Sequence, residues 1–237
     1  MTTLYAWNTA RAGSIAYPSV REARLFHPTR GRQFFGLFDT PPPPTKRYAF
    51  HFQHRAQKMK LPYGIADFHK LIVQGYFYAD RTDRIVSLEQ AGDHLLFLRP
   101  RRFGKSLVLS MLENYYNVAK TDEFERLFGH LKIGQAPTPK HNQYFVMRWD
   151  FSAVMTHGDT EAIARALHDH INACVRSFIT RYHDTLPQMI EIHPGNALSS
   201  FQSAVDAVSR TPYKLYLLID EYDNFANEVM AAQLGKK

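Results

Sequence analysis

Leu95-Leu96-Phe97-Leu98-Arg99-Pro100-Arg101-Arg102-Phe103-Gly104-Lys105-Ser106 is the stretch on which the reading of this chain turns. Four apolar residues enter a basic turn, and the turn enters a helical pattern. From Leu107 to Tyr116, one face carries Leu107, Met111 and Tyr115, with Leu109, Leu112 and Tyr116 beside them. The order is strand, turn, helix. A loop that closes onto a helix N-terminus offers backbone N–H donors and the positive end of the helix dipole, which together hold phosphate. Gly104 lets the backbone come close. Lys105 would reach phosphate oxygens, and the Ser106 hydroxyl would ligate Mg²⁺.

The general pattern is G-x-x-x-x-G-K-[ST], and Arg99 stands where its first glycine belongs. A Gly-Lys-Ser tripeptide alone is common by chance. The bland alternative is a surface turn with three solvated arginines. A second stretch changes the balance: Leu215-Tyr216-Leu217-Leu218-Ile219-Asp220-Glu221. Its continuous apolar run predicts a parallel strand covered on both faces. Asp220, at the strand's C-terminal end, would contact Mg²⁺, and Glu221 would act as general base on a water. Asp223 is close enough in sequence to tune them. Such an acid pair also closes many ordinary core strands, so the argument rests on the two motifs together. They predict an α/β, P-loop NTPase-like three-layer fold with a mostly parallel sheet, and a site for a nucleotide and Mg²⁺.

With their flanks, these motifs resemble the bacterial AAA-ATPase-like family, whose members are often joined to a PD-(D/E)XK nuclease-like domain. Four stretches carry the resemblance, over roughly residues 60 to 230. They are Leu61–Phe68 with Gly75–Thr82, then Phe97–Leu107, then Trp149-Asp150-Phe151-Ser152, and last Leu217–Asp223. The family itself uses Arg-Pro-Arg-Arg-Phe-Gly-Lys-Ser, so Arg99 in place of glycine follows the family. Asp80-Arg81-Thr82 stands where the family tends to have Asp-Lys-Thr. The resemblance implies ATP binding. The expected nucleotide-contacting run is Arg99, Pro100, Arg101, Arg102, Phe103, Gly104, Lys105, Ser106 and Leu107. Ser106 and Asp220 are the expected metal residues, and Glu221 and Lys105 the expected catalytic ones.

Lys237 lies 17 residues past Asp220. A sheet of this kind usually adds at least two more strands, carrying a polar sensor residue and an arginine for the γ-phosphate. The expectation is therefore a fold incomplete at its C-terminal end, resembling a truncated member. A non-catalytic remnant or interaction module is the alternative to an ATP-binding protein with turnover.

The 237 residues suffice for one sizeable core. No apolar run approaches the roughly 20 residues of a membrane helix. Cys174 stands alone, so no internal disulfide framework exists, and no secretory h-region opens the chain; a cytoplasmic site is expected. The net charge of +7 is uneven. Residues 1–60 carry ten Lys+Arg against two Asp+Glu, and residues 61–237 carry nineteen against twenty. The basic character belongs to the first 60 residues. They include Pro41-Pro42-Pro43-Pro44 and no sustained helical or strand period. Residues 1–58 are expected to be a disordered tail or translated upstream sequence, with Met59 the true start and 59–237 the nucleotide-binding domain. Arg21, Arg24, Arg30 and Arg32 alternate with Phe26, Phe34 and Phe35, which could stack on a single strand. Nucleic acid is not expected to bind through 59–237 alone, and no membrane partner is expected. A protein partner or a second copy of the chain is left open.

Elsewhere, helices are expected over 65–74, 85–90 and 124–131, short strands at 76–78 and 144–149, and a long helix capped by Asp159 or Thr160 and running to about Tyr182. Leu198, Phe201, Val205 and Val208 mark a further amphipathic helix. Asp150 could serve the site or simply close a turn. His168 and His170 are two apart, on different helix faces, and make a poor metal pair.

Overall fold

The computed structural model describes residues 2–6, 59–98, 100 and 102–234. Its sheet has four strands: β1 (Thr2–Ala6), β2 (His94–Phe97), β3 (Tyr144–Asp150) and β4 (Lys214–Asp220), in the spatial order β2-β1-β4-β3. β3 and β4 pair in parallel, from Tyr144 opposite Lys214 to Asp150 opposite Asp220. β1 is antiparallel to both β2 and β4. β2, β3 and β4 therefore run the same way, and β1 runs against them between the two motif-bearing strands. This agrees with an α/β chain, but the expected mostly parallel sheet is corrected to a mixed one: only β3 and β4 pair in parallel, and β1, inserted between β2 and β4, makes the other two pairings antiparallel.

Helices cover both faces. On one lies α3 (Lys105–Tyr116), with α1 (Phe68–Val73), α2 (Arg84–Ala91) and α4 (Phe124–Phe128) around it. Leu109, Leu112, Tyr115 and Tyr116 of α3 share a core with Val146 and Leu218 of the sheet and with Phe68 and Phe128. On the other lie α6 (Thr160–Tyr182) and α7 (Ala197–Ser209), whose Val175, Phe178, Ala204 and Val208 pack on Phe145, Met147, Leu215 and Leu217. Alternate residues of β3 and β4 thus enter opposite cores, which is why both strands read as unbroken apolar runs. Full burial of one such leucine contributes about 1.5–3 kcal/mol.

Polar residues place the ends of these elements. Asp159 caps α6, accepting from the Ala162 N–H at 2.7 Å. At the far end of α6, the Tyr182 hydroxyl accepts from Val146 N–H at 2.8 Å and donates to Asn117 at 2.9 Å; burial pushes that phenol up to about 12. Asp80 accepts from the Thr82 N–H and hydroxyl and from the Lys132 N–H, and the Thr82 hydroxyl accepts from Ile133 N–H. The short helix α5 (Lys132–Gln135) is docked by this knot. Asp80-Arg81-Thr82 therefore has a structural account as a clamp between two segments some fifty residues apart.

Three further expectations change. Thr2–Ala6 form a strand inside the sheet, in a segment where no strand period was read. Thr-Thr-Leu-Tyr-Ala has no alternating pattern; pairing on both sides places it, a tertiary effect that local propensity does not carry. The rest of the 1–58 segment, its arginines and its proline run included, lies outside the described residues. The strand expected at 76–78 is reduced to one bridge between Tyr76 and Lys60. A helix that was not anticipated, α8 (Tyr222–Leu234), follows the acidic strand end. No helix among the described residues is long and apolar enough to cross a membrane.

Candidate functional site

Register brings the two motifs to one edge of the sheet. Thr2 of β1 stands opposite Phe97, and Thr3 opposite both Leu96 and Ile219. The C-terminal ends of β2 and β4 are thus level, one strand apart on either side of β1. Two strand spacings separate them, about 10 Å. The carboxyl edge of parallel strands is where open α/β sheets bind ligands.

The phosphate-turn side is built on Gly104, at φ +78° directly before α3. That left-handed conformation is easy for glycine and strained for other residues. Among the described residues nothing lies within 4 Å of where a Cβ would stand, so the left-handed backbone is the feature that favours glycine. Among the described residues no side chain caps this end of α3, and no acidic residue occupies its first turn. An uncapped helix start can offer its N-terminal N–H groups to a ligand or water. Lys105, the first helical residue, is only 9% exposed, while Ser106 and Leu107 are half-buried. Pro100, Arg102 and Phe103 are exposed, and Arg102 also takes a positive φ, +66°. Arg99 and Arg101 lie outside the described residues.

On the acidic side, Asp220 is 1% exposed at the end of β4. Glu221 follows at φ +57°, a left-handed conformation in a non-glycine residue. Such strain is held by its surroundings. The Glu221 carbonyl then accepts from Phe225 N–H at 3.3 Å as α8 begins. The Asp223 carboxyl lies below the ordinary aspartate value. Burial pushes it up, and hydrogen bonding together with positive charge, of which Lys105 supplies the smaller part, brings it down.

Residues missed in the sequence complete this corner. Arg148 of β3 donates to Asp220 Oδ2 at 3.2 Å and reaches toward Glu113 at 3.9 Å and Asp150 at 4.0 Å. Arg181 of α6 holds Glu113 at 2.6 Å. The available signal was Arg148 itself: a single charge in the apolar run Tyr144–Trp149 must find a counter-charge. Asp150 closes a turn, accepting from Ser152 N–H at 3.1 Å and its hydroxyl at 2.7 Å, and it also faces Arg148. That accounts for Trp149-Asp150-Phe151-Ser152 as a turn motif beside the acidic corner. His168 accepts from the Ala197 N–H at the start of α7. Burial lowers His170, and burial first and Asp150 second push the nearby Cys174 thiol up to about 11, which leaves it a poor nucleophile.

A family profile described as predicted AAA-ATPase matches residues 62–237 of this chain. A protein of Azotobacter chroococcum mcd 1, described as an uncharacterized protein in the vnfD 5' region, is 44% identical over 61 residues. That stretch is 25% of this chain, and the chain covers 12% of that protein's length. No solved structure matches.

Proposed function

Because this chain belongs to the predicted AAA-ATPase family, we propose that it binds ATP with Mg²⁺ across the edge formed by the ends of β2 and β4. Family membership suggests ATP binding; the assignment to residues is our own. The observation that supports it is the register that levels the ends of β2 and β4, the strands that lead into Gly104-Lys105-Ser106 and into Asp220-Glu221.

The phosphates would lie over the uncapped start of α3, with Gly104 presenting bare backbone and Lys105 supplying charge to the β- and γ-oxygens. Pro100, Arg102, Phe103 and Leu107 would frame the nucleotide, together with Arg99 and Arg101. The Ser106 hydroxyl and Asp220 carboxylate form a hard oxygen donor set, which fits Mg²⁺ and suits few softer metals. When bound, the ion neutralises charge on the phosphate oxygens. Glu221 would orient a water and take its proton, making turnover the second step of the proposal. In longer relatives, binding would regulate a nuclease-like effector through conformational change, an inference by family analogy.

Calorimetry of Mg·ATP on the full chain, beside Lys105→Ala, tests the reading. Saturable binding lost in the variant is the expected result. A folded wild-type protein that takes up no nucleotide would favour the remnant or interaction module. Melting supplies a second readout, since a hundredfold excess over Kd stabilises by about 2.7 kcal/mol.

A further inference from the structure

Asp220 is a nearly inaccessible carboxylate, and it needs a counter-charge whenever no metal is bound. Arg148 supplies one. Its guanidinium donates to Asp220 Oδ2 at 3.2 Å, an oxygen that a metal at Asp220 would also attract. Two cations on one carboxylate repel at short range, and the repulsion is strong in a buried setting. The guanidinium has other anchors: Glu113 at 3.9 Å and Asp150 at 4.0 Å, both nearer to solvent than Asp220. It also has space, because Arg148 borders a polar groove of about 470 Å³ lined by Glu113, Ser110 and Asn114.

We propose that Arg148 is a positioning residue that holds Asp220 while the metal is absent and yields it to Mg²⁺, shifting onto Glu113 and Asp150. This rests on the reading of Asp220 as a metal ligand. The arginine keeps the carboxylate oriented in the empty protein. In exchange, it raises the Mg²⁺ concentration needed to load the site.

The test uses the full-length chain with Arg148→Gln, Arg148→Lys, Asp220→Asn and the Arg148→Gln/Asp220→Asn double variant. The first measurement is thermal melting in EDTA without nucleotide. Arg148→Gln should lower the midpoint in the wild-type background and do so much less beside Asp220→Asn, a coupling that shows the pair is real. The second is the Mg²⁺ concentration that gives half of the ATP-induced melting shift. Losing a charge-assisted hydrogen bond from the competitor should lower it about tenfold in Arg148→Gln. Arg148→Lys should fall between, and it carries the test if Arg148→Gln does not fold in EDTA.

An unchanged Mg²⁺ requirement, with coupling still present in EDTA, would make the pair a fixed structural contact and overturn the proposal. Weaker ATP binding by Arg148→Gln at saturating Mg²⁺ would also overturn it, by making Arg148 a phosphate contact. Absence of Mg·ATP binding by the wild type, with the EDTA coupling intact, would instead bring down the nucleotide reading beneath it.

Discussion

The two strands that carry the motifs are seated differently. β4 has six of its seven residues buried, because helices cover both of its faces. β2 alternates exposed and half-buried residues, with Leu95 against the α3 core and Leu96 half exposed on the other side. Asp220 is therefore held by packing from two layers. Gly104 and Lys105 are held by α3, and only secondarily by the strand that delivers them. The acidic corner belongs to the rigid core, whereas the phosphate turn hangs from one helix. Of two motifs read with similar ease in the sequence, one has its geometry set by burial and the other by a glycine dihedral and a helix start.

The largest expected effect contrasts the strands directly. Leu218→Ala should cost about 2–5 kcal/mol in denaturant unfolding, and Leu96→Ala no more than about 0.5. Equal losses would end the distinction between them. Next is Lys105→Ala, which should weaken Mg·ATP by about a hundredfold in calorimetry while costing only about 1 kcal/mol in unfolding, because its packed part is an aliphatic stem and the charge serves the turn. A large loss of stability would place Lys105 in the core on the same footing as Leu218.

Asp80 offers a control remote from both strands. Burial raises its carboxyl, but hydrogen bonds from Thr82 and Lys132 and the Lys132 charge hold it below the ordinary value. A depressed folded value stabilises above the unfolded carboxylate range, near 3.9. That stability is lost as pH falls through the lower, folded value. Asp80→Asn should therefore cost about 1–2 kcal/mol at neutral pH, flatten the acid side of the stability profile, and leave ATP affinity alone. A small change of stability in the opposite direction is expected at Glu221. Glycine there relieves the left-handed strain, so Glu221→Gly should raise stability by about 1 kcal/mol while abolishing any turnover. A destabilised variant would mean the side chain helps to hold the corner together.

Much of the architecture was legible because it is written in local pattern. The α3 helix, the β3 and β4 strands, the α6 cap at Asp159 and the α7 stripe all follow from periodicity and capping chemistry. What escaped was set by distant partners. β1 owes its place to pairing with residues far along the chain, and its own five residues carry no strand signature. Arg148 was passed over because a lone arginine in a strand has meaning only when the facing acids are known. Asp80 and Asp150 were noticed as motif residues, yet their work as turn and docking acceptors depends on backbone donors that no residue pattern displays.

The pairing of Thr3 with both Leu96 and Ile219 also bears on how the chain comes together. A ribosome would release the first strand long before its second neighbour exists. Contacts that span nearly the whole chain carry a high entropic cost of closure, and they slow the final step of folding. β3 with α3 and α6 can condense earlier, while the strand at the centre of the sheet waits for β4. Refolding should accordingly show a late phase in which the sheet closes around β1, and during that wait the flanking edges of β2 and β4 are open to wrong partners.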